Sequence, residues 1–305
     1  MAPLPRLRVD RAAAPGRSSV GLGPSGLRLD ARGEGVCEGS PWARVEMVVA
    51  GPVPSHGMDA AQGGDLVVTW SPGLVRSVRT ADAAQLFDRR PPGAERAVGA
   101  ASANAGLVRD QAGWRAVVLP SLGDRLSDLG DGPVAISPDG LSVAVADGDG
   151  AVVVALADGA QTGRVDGGPV DALALGEGGA WVARGAAVGD ASVERADGPG
   201  VRILRAAPAA RAAVALHEDG SVTVARGDER HRFTPPVVAD AVAISAAGDW
   251  VLASGEDRVV ICRATDGAVA FDVQGARCGA LAGDDRVVIS GDWGLALVAP
   301  VASEG

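Results

Sequence analysis

The sequence contains no lysine and no tyrosine, one asparagine (Asn104), three phenylalanines and three cysteines. All 28 of its basic side chains are therefore arginine. The bias is that of a high-GC genome, because Lys, Asn and Tyr codons are AT-rich. Without lysine there can be no Gly-Lys-Ser/Thr phosphate loop, no Schiff-base lysine and no kinase-type ATP lysine. Aromatics make up only 3% of residues, so the core must be built from Val, Ala and Leu. Cys37, Cys262 and Cys278 are an odd, sparse set that excludes a disulfide framework and predicts a reducing, cytoplasmic setting. The first ten residues lack the apolar stretch of a signal peptide. The longest apolar run, around 151–157, is far below the roughly 20 residues of a membrane span. A net charge of −10 leaves no basic face for nucleic acid.

What is abundant is glycine, 44 of 305 residues. That is about twice the usual share and suits a fold with many tight turns. The apolar fraction of 47% is ample for a core.

The chain repeats itself. Residues 134–159 lie over 242–267 without a gap and match at ten of 26 positions, an offset of 108 or three times 36. The identities include Ile136/Ile244, Ser137/Ser245, Gly140/Gly248, Asp149/Asp257, Asp158/Asp266 and Gly159/Gly267. Residues 64–82 match 248–266 at six of 19 positions. Gly-Pro-Val recurs at 51–53, 132–134 and 168–170. Each unit reads as short strands cut by turn residues: 134–137, 142–146 and 151–157, separated by Pro-Asp-Gly and Asp-Gly-Asp-Gly and closed by Asp-Gly, with a weaker fourth strand. The third strand is apolar on both faces, which predicts neighbours on both sides.

Four-stranded units at a period of 36–41 residues resemble the WD-repeat class of β-propeller, over about residues 43–305. Asp149 and Asp257 stand where that family places its tight-turn aspartate. No Trp-Asp dipeptide ends a third strand and no Gly-His precedes a first, so the resemblance is to a diverged member. It implies an all-β fold, a propeller of seven four-stranded blades, with eight as the runner-up. The units are 56–92, 94–129, 130–167, 168–200, 201–237, 238–274 and 275–305, and 185–200 reads as a loop insertion around a weak third strand. The last unit ends before a fourth strand. Residues 44–50 would supply it and close the ring from the N-terminal side, leaving no open sheet edge. Residues 1–42 become an extension with a net charge of +2, read as a docking arm, a loose terminus or one more strand.

Catalytic constellations are missing. His56, His217 and His231 have no second His or Cys at metal-ligand spacing, and each reads as a loop or surface residue. There is no Gly-x-Ser-x-Gly elbow. Cys262 and Cys278 fall on strands and read as buried, unreactive thiols. Trp181 and Trp250 share a repeat position just past the first turn, which predicts packing between blades. The turn between second and third strands is acidic in several units: Asp147 and Asp149, Glu218 and Asp219, Glu256 and Asp257, and Asp292. On a propeller these turns share one face. They read either as a docking surface for a basic partner or as ordinary hairpin chemistry.

The expected function is a non-enzymatic protein-interaction scaffold, or a subunit of a larger bacterial assembly, with no cofactor, no metal and other proteins as partners. Two alternatives remain. One is an enzyme or sensor with a small ligand or cation in the central channel, where the inner strands of three units read as largely apolar with Asp171 their only carboxylate. The other is a structural component of a particle or filament.

Overall fold

The computed structural model describes residues 6–9, 20–22, 34–36, 42–50, 56–61, 65–79, 85–90, 95–100, 104–190, 192–255, 258–282, 286–291 and 294–300. Every regular element among them is a β-strand. Seven antiparallel sheets succeed one another along the chain and stand in a ring, a seven-bladed β-propeller. The first strands of the seven sheets are Gly57–Ala61, Arg96–Gly99, Val134–Ile136, Ala172–Gly176, Val201–Ala206, Ala241–Ile244 and Cys278–Leu281. First strands of neighbouring sheets touch one another around most of the ring, so they form the inner wall of a central channel.

The repeated turns explain why the chain breaks where it does. In the third sheet Ser137 donates its N–H to the carbonyl of Ser142, and Gly140 donates back to Ser137. In the sixth sheet Ser245, Trp250 and Gly248 make the same pair of bonds. Gly140 and Gly248 sit at φ 65° and 82°, a backbone that costs a β-branched residue dearly. The following turn repeats as well. Gly159 donates to Ala155 and Gly267 to Arg263, while the Asp158 and Asp266 carboxylates accept from the Ala160 and Ala268 N–H groups.

The ring closes as the sequence predicts. The seventh sheet runs Cys278–Leu281, Val287–Gly291 and Gly294–Pro300, and its fourth strand is Trp42–Ala50. That strand pairs antiparallel with Gly294–Pro300, in a register that sets Ala50 opposite Gly294 and Val45 opposite Val298. The ring thus has seven sheets, and the strands before residue 42 add to existing ones. Arg6–Val9 lies parallel to the outer strand Val269–Gln274 of the sixth sheet and pairs with Val20–Leu22, and Glu34–Val36 pairs with Trp42–Ala50.

The fourth sheet has three strands, Ala172–Gly176, Gly179–Arg184 and Ala187–Asp190. The irregularity read over 185–200 is real. Instead of an outer strand, the chain folds back so that Ala186 donates to Ala196 and Ala196 to Arg184. Arg184, only 2% exposed, holds this segment by donating to the Val193 carbonyl at 2.7 Å and the Asp166 carbonyl at 2.8 Å.

The core is divided among the gaps between sheets. Seven apolar clusters fill the seven gaps, and one of them joins Met58, Ala60 and Val67 of the first sheet to Ala280, Val288 and Leu295 of the seventh. Trp181 packs into the gap between the fourth and fifth sheets, and Trp250 against the gap between the sixth and seventh, as expected from their shared position. The third strand Ala151–Ala155 is covered on both sides: Val154 faces the second sheet and Val153 the fourth. Small side chains suit this design, because sheets stacked face to face around a ring converge toward the axis.

Candidate functional site: one face and the channel mouth

Antiparallel alternation places the hairpin between second and third strands at the same end of each sheet as the start of the inner strand. The hairpin after Ser142–Ala146 carries Asp147 and Asp149, and the one after Ala212–His217 carries Glu218 and Asp219. All four are exposed. Both hairpins tie to the loops that enter the inner strands, through Gly168 N–H to the Asp149 carbonyl and Glu218 N–H to the Gly200 carbonyl. The four carboxylates do not form one cluster. They belong to the third and fifth sheets, and the equivalent turn of the fourth sheet carries Gly185 and Ala186. Glu256, Asp257 and Asp292 lie outside the described residues.

Two of the four build their own turns. Asp147 accepts from Asp149 N–H at 3.2 Å and pairs with Arg164 at 2.5 Å. Asp219 accepts from both the N–H and the hydroxyl of Ser221, and pairs with Arg232 at 2.9 Å. The Ser221 bonds, before the charge of Arg232, hold its carboxyl below the usual range. Asp149 and Glu218 make no side-chain hydrogen bond or ion pair with any described residue, and their carboxylates face solvent.

His217 overturns the expectation of a surface residue. It ends the strand Ala212–His217 and is 1% exposed. Its Nδ1 lies 3.0 Å from the Pro199 carbonyl and can only donate to it. Its Nε2 then accepts from the Thr223 hydroxyl at 2.8 Å. The ring is neutral in this arrangement, and burial lowers its pKa against the pull of the Pro199 carbonyl. Of the other two histidines, His56 is exposed and His231 partly so. Cys262 and Cys278 are buried as expected. Burial pushes the Cys262 thiol up to about 12.

The channel is less apolar than the inner strands of the third, fourth and sixth units imply. At the mouth where inner strands begin it opens into two adjoining voids of about 270 and 230 Å³, and at the far end it narrows to about 90 Å³ between walls that are apolar apart from Asp59 and Arg205. Charged residues of both signs line this space, among them Asp59 from the first sheet, Arg96 from the second and Arg205 from the fifth, with Glu95, Asp240 and Asp131 among the other carboxylates. The Asp59 carboxylate accepts from Ala60 N–H at 3.0 Å and from Gly99 N–H of the next sheet at 3.1 Å. Burial raises its pKa against the opposing effects of Arg205 and those two donors. Burial, and then repulsion from Arg205, bring the Arg96 guanidinium down to about 9 although Asp59 works the other way. A register shift between Val201 and Ile203 bulges the fifth inner strand beside this site. Bulges of this kind re-aim side chains. The residues were legible in principle, since the first, second and fifth inner strands read GMDAA, RAVG and VRILRA.

Asp171, the inner-strand carboxylate singled out from sequence, is instead held at the rim by Arg195 at 3.0 Å and by Gly185 N–H at 2.6 Å. Among the described residues no group of three or more His, Cys, Asp or Glu is placed to hold a metal ion, and no helix is long and apolar enough to cross a membrane. No protein-family model matches the chain, and no curated protein matches it.

Proposed function

We propose that this propeller is a non-enzymatic interaction module, a scaffold or subunit of a larger bacterial, cytoplasmic assembly, and that it meets a basic protein partner through the face bearing the acidic hairpins. The observation that carries this reading is the state of Asp149 and Glu218, exposed and without a counter-ion among the described residues, on hairpins whose backbone is pinned to the neighbouring loops. Fixed, unpaired carboxylates on a rigid rim steer association with an oppositely charged surface and lose little entropy when they pair. Asp147 and Asp219 contribute to the same field, and Glu256, Asp257 and Asp292 occupy the matching positions of the sequence repeat. We also read the chain as a diverged relative of the WD-repeat class, supported by the repeated Ser-x-x-Gly and Asp-Gly turns.

Affinity purification of the tagged chain from its native host tests the reading. A stoichiometric protein partner is expected, held by the wild type and released by the combined D149N/E218Q substitution at unchanged melting temperature. A clean monomer that turns over a small molecule, or a partner retained equally by the double variant, overturns it.

A further inference from the structure

We propose that the channel mouth is a binding site for a small organic oxyanion, a carboxylate or phosphate group on a compact apolar body, gripped between Arg96 and Arg205.

The argument begins with the two guanidiniums. Arg96 stands on the second inner strand and Arg205 on the fifth, three sheets apart around the ring, yet both line the same two voids. Neither makes a hydrogen bond or ion pair with any described residue. Several arginines of third and fourth strands behave differently. Arg164 pairs with Asp147 and Asp166, Arg232 with Asp219, and Arg258 with Asp272 at 2.7 Å. A partly buried guanidinium with no hydrogen-bonded counter-ion among the described residues is costly and calls for an anion.

The nearest carboxylate attracts both guanidiniums but hydrogen-bonds to neither. Asp59 lines the same void, but its two oxygens already accept from Ala60 and Gly99 N–H groups. A further cation, Arg109 on the strand Ala105–Asp110, lines the smaller void. Its Nε has no hydrogen-bond partner and sits 3.7 Å from Glu95. These guanidiniums share the two voids with carboxylates, Asp59, Glu95 and Asp240 in the larger and Asp131 and Asp171 in the smaller, and Asp171 is already held by Arg195.

The size and lining of the space define the ligand. The larger void is about 270 Å³. That is just below the roughly 300 Å³ at which small-molecule sites usually begin, so the ligand is small. Besides the arginines it is walled by Met58, Trp70, Ile203 and Val242. Planar guanidinium forks suit a carboxylate or phosphate, which can accept two parallel N–H bonds from one fork. The apolar walls accommodate a small hydrocarbon body beside it.

The test is a calorimetric titration, with thermal melts alongside, using inorganic phosphate, phenyl phosphate and benzoate at constant ionic strength. At least one probe is expected to bind the wild type saturably. R96Q and R205Q are each expected to weaken that binding by about tenfold or more, as loss of a charge-assisted bond does. R232Q, on the outer edge, should bind as the wild type does. If either glutamine variant fails to fold, R96K or R205K retains the charge, loses the fork and still weakens binding. Absence of saturable binding by all three probes in the wild type overturns the proposal. So does equal binding by R96Q, R205Q and R232Q.

Discussion

Ser137 and Ser245, 108 residues apart, hold the same turn: each hydroxyl accepts from the backbone N–H five positions on, Ser142 at 2.9 Å and Trp250 at 3.2 Å. The two sites differ in burial. Ser245 is fully buried and also accepts from Asp249 N–H, whereas Ser137 is half-buried and shares its turn with the Asp139 carboxylate. S245A strands two backbone donors and is expected to cost about 1–3 kcal/mol. S137A should cost less, because Asp139 still accepts from Leu141 N–H. Urea denaturation of the two variants measures the difference, and equal losses contradict this account.

Gly148 and Gly150 share one hairpin and separate two effects. A Cβ on Gly148 meets nothing within 4 Å, so G148A bears only the strain of φ 89°, about 1 kcal/mol. A Cβ on Gly150 would lie 1.9 Å from the Val165 carbonyl oxygen. G150A must displace the outer strand, and about 3 kcal/mol or more is expected. Thermal melts should show the second loss clearly larger than the first.

His217 gives the fold a dependence on pH. Its folded pKa lies below the ordinary 6.5, chiefly through burial. The unfolded chain therefore takes up the proton first as pH falls. The contribution to stability is complete above about 6.5 and is lost as pH drops through the lower folded value. H217Q cannot charge, so its stability should be flatter than that of the wild type between pH 7 and 5. Parallel curves for the two proteins would count against this.

Much of this architecture is legible in the sequence, because the turns are specified by residue type. Asp-Gly and Ser-x-x-Gly mark hairpin ends, and the missing fourth strand of the last unit points to residues 44–50. The channel chemistry is harder to read. Whether an inner-strand arginine meets a carboxylate depends on which residues stand across the ring, and Arg96 and Arg205 are more than a hundred residues apart. His217 is hidden for a related reason. Its burial comes from Pro199 and Thr223, which only the folded hairpin brings to its two nitrogens.

Cys262 and Cys278 should resist iodoacetamide at pH 8 in the native protein. The first is fully buried with its thiol pushed up to about 12, and the second lies 3.1 Å from the Ser290 hydroxyl in the gap between the first and seventh sheets. Thiolates are the reactive form, and neither is available until the ring opens. Mass spectrometry after native and denaturing labelling checks this.

Removing the closing strand should matter more than removing what precedes it. Deletion of residues 1–50 leaves Gly294–Pro300 as a bare edge of seven residues, a template for pairing with another chain. Oligomers or aggregates are expected by size exclusion. Deletion of residues 1–33 keeps the Trp42–Ala50 ladder and should leave a monodisperse ring.

Because the seventh sheet is woven from both halves of the sequence, the covalent backbone is a circle with a single nick. Nothing in the seven interlocking gaps marks that nick as special. Joining the two ends through a flexible linker and cutting instead in the loop between Phe233 and Ala241 would place all four blade strands of the seventh sheet in one continuous stretch. The position of the cut would then become an engineering choice.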